Sequence, residues 1–232
     1  MNVENAYCGK VREILKSYGI DLNEQKNELI ARYLSLLISA PVNVSGIEDF
    51  ESAVHKHVVD VLLPIESLEG KLLDVGTGGG VPGVVLSIVY PVASVLVDSS
   101  KKKTVWLSNT IEKLGLKNVE VVCERIENLA DRYRESFDYV TARAVASLRV
   151  LLELCAPFCR VNGLLLLYKG PNWPEEMTQA RRAAEILKVQ LEESVEYKLS
   201  GGERRALLKF RKFAPTEKTY PRDTKKIMKR PL

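Results

Sequence analysis

The sequence predicts an α/β fold, with a mostly parallel seven-stranded sheet that ends in an antiparallel hairpin and a helical extension in front of it. Beyond Gly70, short apolar runs alternate with amphipathic stretches. That is the pattern of repeated strand–helix units whose parallel strands are buried on both faces. The last two apolar runs, 191–198 and 204–213, are separated by little more than SGGE. Strands joined so tightly pair antiparallel. Before residue 65 there is no strand signal, only helical periodicity.

Taken in order, the first helix is expected over about 3–18, with Val11, Ile14, Leu15 and Tyr18 on one stripe. The second runs over about 23–40 and stops at Pro41; Leu29, Ile30, Tyr33, Leu34, Leu36 and Leu37 form its buried face. A third spans 48–62 and ends before Pro64. Then come KLLDV and PGVVLSIVY, SVLVD and KKTVWLSNTIEKLG, VEVV, FDYVTA and SLRVLLELCAPF, GLLLLYK and EEMTQARRAAEILK, each a strand or its following helix. We divide the chain into a helical extension (1–65), a catalytic α/β domain (66–214) and a basic C-terminal tail (215–232).

With 46% hydrophobic and 28% charged residues, the 232-residue chain has the composition of a soluble protein with a sizeable core. No run approaches the roughly 18 apolar residues of a membrane span. MNVENAYCGK lacks a basic-then-apolar signal pattern, so a cytoplasmic protein without membrane contact is expected. Cys8, Cys123, Cys155 and Cys159 include no C-x-x-C pair and are expected to be buried free thiols, with no metal site. Charge is uneven. From Arg204 onward eleven Lys/Arg face only Glu217 and Asp223, a net +9, so the first 203 residues carry −5 of the overall +4. Such asymmetry points to an anionic partner.

LLDVGTGGGVPG places five glycines in the eight residues from Gly76 to Gly83, between the first strand and its helix. Gly76, Gly78 and Gly80, with Thr77 among them, allow a ligand to approach the backbone closely. The ends of strands in open α/β sheets are where ligands bind. By spacing alone the loop suits either a dinucleotide or S-adenosylmethionine. Asp74, at the mouth of the loop, favours the second, because a carboxylate repels a pyrophosphate and attracts an ammonium and a sulfonium. Asp98 ends the second strand, 22 residues beyond Gly76, where an acid accepts hydrogen bonds from ribose hydroxyls; Ser99 follows it. Asp98 would otherwise cap the next helix. In CERIENLA, Ile126 and Glu127 are expected to flank an adenine, the alternative for Glu127 being an ordinary acid in the first turn of a helix. Lys101–Lys103 form a basic run at a helix start, against the helix dipole.

These blocks together resemble the bacterial small-subunit ribosomal RNA guanine-N7 methyltransferases, the RNA small subunit methyltransferase G or glucose-inhibited division protein B family. The resemblance covers most of the chain through VNVSGI, HKHVVDVL, DVGTGGGVPG, VDSSKKKTVWL, FDYVTARAVASL, LLLLYKG, TYPR and the basic PL ending. It implies a Rossmann-like class I methyltransferase fold and transfer of a methyl group from S-adenosylmethionine to N7 of one guanine in 16S ribosomal RNA. The expected partner is that RNA or the small ribosomal subunit particle, and the protein is expected to be a monomer. By position, Gly76, Val81, the Ile126–Glu127 pair and Arg143 would line the donor site. Val81 stands where the family usually has phenylalanine; Lys225 and Ile227 replace its usual glycine and proline.

The residues agree with that chemistry by omission. N7 of guanine has an in-plane lone pair and no proton to lose, so alignment suffices without a general base or nucleophile. The segment after the fourth strand reads TARAVAS, without the Asp/Asn-Pro-Pro-aromatic arrangement of amine methylation or the Pro-Cys or Thr-Cys of pyrimidine C5 chemistry. Arg143 lies in it and is expected to position donor, guanine or phosphate, the alternative being a salt bridge at the sheet edge. Lys169 closes the fifth strand in a similar position. His55 and His57 belong to the extension, packed or exposed rather than catalytic. Arg204, Arg205, Arg211 and Lys212 of the hairpin are expected to contact RNA. So are Arg222, Lys225, Lys226, Lys229 and Arg230 of the tail. A nicotinamide-dependent oxidoreductase, a non-catalytic RNA-binding protein and a small-molecule methyltransferase are the competing readings.

Overall fold

The computed structural model describes residues 3–41, 46 and 49–232. Of the VNVSGI block, 42–47, all but Gly46 lies outside them, as does residue 48, the expected start of the third helix.

Seven strands form one sheet: β1 (Gly70–Val75), β2 (Val92–Asp98), β3 (Val119–Cys123), β4 (Phe137–Arg143), β5 (Cys159–Lys169), β6 (Val189–Lys198) and β7 (Arg204–Lys212). Their order is β3-β2-β1-β4-β5-β7-β6. The first five pair in parallel, while β7 runs antiparallel to both β5 and β6. The strand order reverses between β1 and β4, and at that switch point the carboxyl ends leave a crevice.

Alternation along the strands feeds two cores, one on each face. Leu72, Leu96 and Leu166 join the first; Leu73, Val97 and Leu165 join the second. Over the first lie α1 (Val3–Ser17), α2 (Glu24–Ile38), α3 (Phe50–Ala53), α4 (Asp60–Leu62), α5 (Gly83–Val89) and α6 (Lys101–Leu114). Over the second lie α7 (Ala130–Tyr133), α8 (Leu148–Cys155), α9 (Trp173–Leu187) and α10 (Thr224–Lys229). The stripes expected on the first two helices are the faces they bury: Val11, Ile14 and Leu15, then Ile30, Tyr33, Leu34 and Leu37. These side chains share one apolar cluster with Val84 and Val85 of α5, so the extension packs over the sheet. Asn23 caps α2 by accepting from the Lys26 N–H, 2.9 Å.

Between α3 and α4 the helix widens into a π-helical stretch, Val54–Val59, in which the Asp60 N–H reaches the His55 carbonyl. Such stretches recur at functional sites, and this one faces the end of β4. The segment after β7 is folded onto the second face. Arg134 Nη2 donates to the Tyr220 carbonyl (2.6 Å), Thr216 Oγ1 to Leu187 O (3.1 Å), and Ile227 is fully buried. Cys8, Cys155 and Cys159 are buried free thiols; Cys123 departs from expectation and is exposed, since it ends the edge strand β3. No helix among the described residues is long and apolar enough to cross a membrane.

Candidate functional site

The glycine loop runs from the end of β1 to the start of α5, and its amide groups are largely committed. Gly76 and Thr77 donate to Val97 O (2.9 and 3.0 Å), Gly80 to Thr77 O (2.8 Å), Gly78 to Asp98 Oδ2 (3.0 Å) and Gly83 to Asp74 Oδ2 (3.0 Å). A pyrophosphate cradle needs such N–H groups free to point at the ligand. Here two go to carboxylates and three to carbonyls.

Asp74 corrects an expectation. It is fully buried beneath the loop, where Oδ2 accepts from the Thr77 hydroxyl (2.6 Å) and from Gly83 N–H at the head of α5. Its role is to tie loop to helix, and it does not line the cleft as an attractor for a cation. Burial pushes its pKa up to about 6 against the opposing pull of these two hydrogen bonds, and Oδ1 has no partner among the described residues. Gly83 is needed for this packing, because a Cβ there would sit 2.7 Å from Asp74 Oδ2.

Asp98 lines a cleft at the strand ends. Oδ2 holds Gly78 N–H and Oδ1 holds Ser100 N–H (2.8 Å), so the carboxylate orients the loop and the start of α6 together. Each oxygen has a second lone pair for a hydroxyl. Around it lies a cleft of about 300 Å³, lined by Gly76, Asp98, Ser99, Ile126, Glu127 and Val145, with Lys103, Glu124 and Arg125 at its edge. That volume is at the lower end of small-ligand pockets. At Gly76 (φ +72°) a Cβ would lie 2.7 Å from Val145 Cγ2, so glycine lets the β4 loop close over the strand end.

Of the residues expected at the donor site, Gly76, Asp98, Ser99, Ile126 and Glu127 are brought together in this cleft. Thr77, Gly78 and Gly80 shape the loop through the bonds above, whereas Val81 packs in the first core. The phenylalanine-to-valine difference therefore falls on the loop's underside.

Arg143 forms the salt bridge weighed as its alternative role. It lines a neighbouring cleft of about 390 Å³ together with His57, Asp60, Tyr168, Lys169 and Arg205. Its Nη1 donates to Asp60 Oδ2 (2.9 Å) and Lys56 O (2.7 Å), and its Nη2 lies 2.9 Å from His57 Nδ1. A guanidinium donates only, so His57 accepts at Nδ1 and carries its proton on Nε2. Burial, followed by the Arg143 charge, lowers the His57 pKa to about 3. Tyr197 donates to Asp60 Oδ1 (2.8 Å) and Lys169 pairs with Glu176 (2.7 Å). The two clefts share Ala144, held at φ +57°, a strained backbone for a residue with a Cβ.

The hairpin cations are largely neutralised, because β6 supplies acids across the ladder. Arg204 pairs with Glu196, Arg211 bidentately with Glu192, and Lys209 with Glu193. Lys212 is fully buried, bonded to Glu135 and Ala156 O (2.8 and 2.9 Å), so it is absent from any RNA-facing surface. Arg205 sits 3.8 Å from Asp60 in the second cleft, and Arg222 is drawn into a pair with buried Glu153. Lys225, Lys226, Lys229 and Arg230 are exposed and make no ion pair among the described residues.

Sequence reading missed Tyr33, Leu154 and Thr224 as site residues. Tyr33 registered only as part of an apolar stripe, and its hydroxyl reaches Gly79 O at 2.8 Å. Leu154 and Thr224 meet the cleft around Asp98 only through tertiary packing.

Comparison with known proteins agrees with this geometry. The family model described as rRNA small subunit methyltransferase G (GidB) matches residues 26–207. The chain is 51% identical to Ribosomal RNA small subunit methyltransferase G of Pseudothermotoga lettingae, covering 96% of this chain and 99% of that one. To the protein of the same name from Thermotoga maritima it is 49% identical, over 99% and 97% of the two chains. Among solved structures, M. jannaschii TYW2 in complex with AdoMet superposes with a TM-score of 0.58 at 14% identity, covering 74% of this chain and 81% of that one. A mutant of the 16S rRNA (adenine(1408)-N(1))-methyltransferase from Catenulisporales acidiphilia gives 0.52 at 18%, covering 65% and 88%. At such identities these structures bear on the fold alone.

Proposed function

The chain belongs to the rRNA small subunit methyltransferase G family, and from that premise we propose that it transfers the methyl group of S-adenosylmethionine to N7 of one guanine in 16S ribosomal RNA. The observation that carries the donor assignment is the commitment of the loop amides. Five of them already have protein acceptors, two of these carboxylates, which suits a neutral ribose and a sulfonium and disfavours a pyrophosphate. The same point argues against a nicotinamide-dependent oxidoreductase.

In this reading Asp98 receives the ribose hydroxyls, Ile126 and Glu127 flank the adenine, and Gly76 admits the methionine portion to the end of β1. S-adenosylmethionine supplies the electrophilic methyl. The second cleft holds the guanine, with Ala144 at the passage between the two sites. Arg143, clamped by Lys56 O, Asp60 and His57, turns three of its five N–H donors to protein. We assign it to building the acceptor wall. Because N7 has no proton to remove, the site needs alignment and exclusion of water, and His57, whose Nδ1 lone pair is taken by Arg143, is no general base. Lys225, Lys226, Lys229 and Arg230 position the RNA backbone. We assign the working form to a cytoplasmic monomer.

The test is incubation with methyl-labelled S-adenosylmethionine and 16S ribosomal RNA, as naked RNA and as 30S subunits from cells lacking the enzyme, followed by nucleoside digestion. The expected product is 7-methylguanosine at one site. Donor binding without labelling of either substrate would overturn the acceptor assignment.

A further inference from the structure

The folded C-terminal segment joins two places that the sequence kept apart. Arg222 donates Nε and Nη2 to the two oxygens of Glu153 (2.7 and 2.5 Å) and its N–H to Oε1 (3.1 Å), and the Glu153 side chain is fully buried. Asp223 then caps α10 through the Lys225 N–H (2.9 Å), and Ile227 buries completely on the other side of the helix. These anchors bring the first turn of α10 to the donor cleft. Thr224 lines it, and the Thr224 N–H donates to Glu127 Oε1 at 3.0 Å.

The outer face of the same six-residue helix carries Lys225, Lys226 and Lys229, with Arg230 at its C-cap, all exposed and without an ion pair among the described residues. Lys225 and Lys229 are four apart, so like charges stack along the helix, and the pair opposes helix formation. Lys225 and Lys226 also lie in the first turn, where the dipole disfavours cations. A helix this short has little stability of its own. Phosphates on its outer face relieve the repulsion, and they thereby favour the docked helix whose inner end touches Glu127.

Resting on the donor and RNA assignments above, we propose that α10 is a wall common to both sites, and that Thr224 is a positioning residue which acts through Glu127 so that bound RNA tightens the donor site. Linkage makes the effect reciprocal, with bound donor tightening RNA by the same factor.

The full-length protein is titrated with S-adenosylhomocysteine, which has no methyl to transfer, with and without 16S ribosomal RNA. The expected result is a donor-site affinity at least about fivefold higher with RNA present. Thr224→Pro removes the N–H that donates to the Glu127 carboxylate. Proline is well tolerated at the first helical position, and Asp223 already has the extended backbone (φ −55°, ψ 135°) that a following proline requires. In this variant RNA binding is expected to persist while the coupling falls to about one. The double variant Lys225→Gln/Lys229→Gln removes repulsion without RNA, so its RNA-free affinity for S-adenosylhomocysteine is expected to rise toward the RNA-bound value of the wild type. A wild-type protein that methylates 16S RNA yet binds S-adenosylhomocysteine equally with and without it overturns the coupling and leaves the proposed function standing. Retention of coupling in Thr224→Pro, or an unchanged RNA-free affinity in the double variant, overturns the role of α10. Absence of both RNA binding and methylation overturns the two readings together.

Discussion

Tyr33 of α2 donates its hydroxyl to the carbonyl of Gly79, 2.8 Å away and fully buried, so the helical extension holds the glycine loop from behind. A buried carbonyl that loses its donor costs about 1–3 kcal/mol. Tyr33→Phe keeps the ring in the core and removes only that donor. Urea unfolding is expected to show a loss of this size, and calorimetry a weaker affinity for S-adenosylmethionine, because the loop loses its support. Wild-type donor affinity in this variant would mean that the loop keeps its shape without the extension.

Asp98 presents the second contact on the loop, holding Gly78 and Ser100 N–H groups with separate oxygens. Asp98→Asn retains one acceptor oxygen and puts an amide donor against one of those two N–H groups. Hydrogen bonds to a charged acceptor are worth about 1.5–3 kcal/mol, so donor binding is expected to fall by roughly tenfold to a hundredfold. Equilibrium binding of S-adenosylmethionine measures it, and a change below about twofold would remove Asp98 from the donor site.

How far the sequence could be read follows from which interactions are local. The parallel strands and the hairpin were legible because their apolar runs and short connection act within a few residues of one another. The place of Asp98 beside the loop was legible because a strand end and a glycine loop fix each other's distance. Asp74 was misjudged, since sequence puts an acid at the loop's mouth but cannot say whether its χ angles turn it toward the cleft or beneath the loop. Only the fold, with Gly83 admitting the carboxylate at 2.7 Å from the place of a Cβ, decides this. Lys212 failed for a related reason, and Arg143 was left between two roles by the same one. Their partners, Glu135 and Asp60, lie 77 and 83 residues away, and a cation's role depends on whether such a partner arrives.

Asp74 gives stability a measurable pH dependence. Its carboxyl titrates near 3.9 in an unfolded chain, and burial lifts it to about 6 in the native one. Between these values the unfolded state releases a proton that the native state keeps. The stabilising contribution is thus complete below about pH 4 and is lost as pH rises through about 6. At about 1.4 kcal/mol per pKa unit the loss is about 3 kcal/mol. Asp74→Asn has no proton to lose, so its unfolding free energy is expected to gain about that much on the wild type between pH 4 and pH 7. His57, whose pKa is lowered to about 3 by burial and Arg143, acts in the opposite sense as pH falls below about 6.5. It is common to both proteins and cancels in the difference. Parallel stability curves for the two proteins would show that Asp74 is ionised in the native state throughout.

Arg143 and Asp60 form a nearly buried pair at 2.9 Å, with side-chain exposures of 17% and 7%. Removing one partner of such a pair strands the other, at a cost of about 3–5 kcal/mol. Arg205, 3.8 Å from the same carboxylate, offsets part of it, so Arg143→Met is expected to lose about 3 kcal/mol of folding stability. A double-mutant cycle with Asp60→Asn is expected to return a coupling of about 1–3 kcal/mol. Arg143→Lys separates structure from function more sharply. A lysine keeps the charge but has no planar fork with which to meet Lys56 O, Asp60 and His57 together. Because Arg143 lines the second cleft and not the one around Asp98, S-adenosylmethionine affinity is expected to stay within about twofold. Methyl transfer to 16S RNA is expected to fall by more than about tenfold, since a misplacement of about 1 Å costs a hundredfold in an alignment-driven reaction. If donor affinity falls in step with transfer, Arg143 belongs to the donor site after all, and the division of labour between the two clefts has to be redrawn at Ala144.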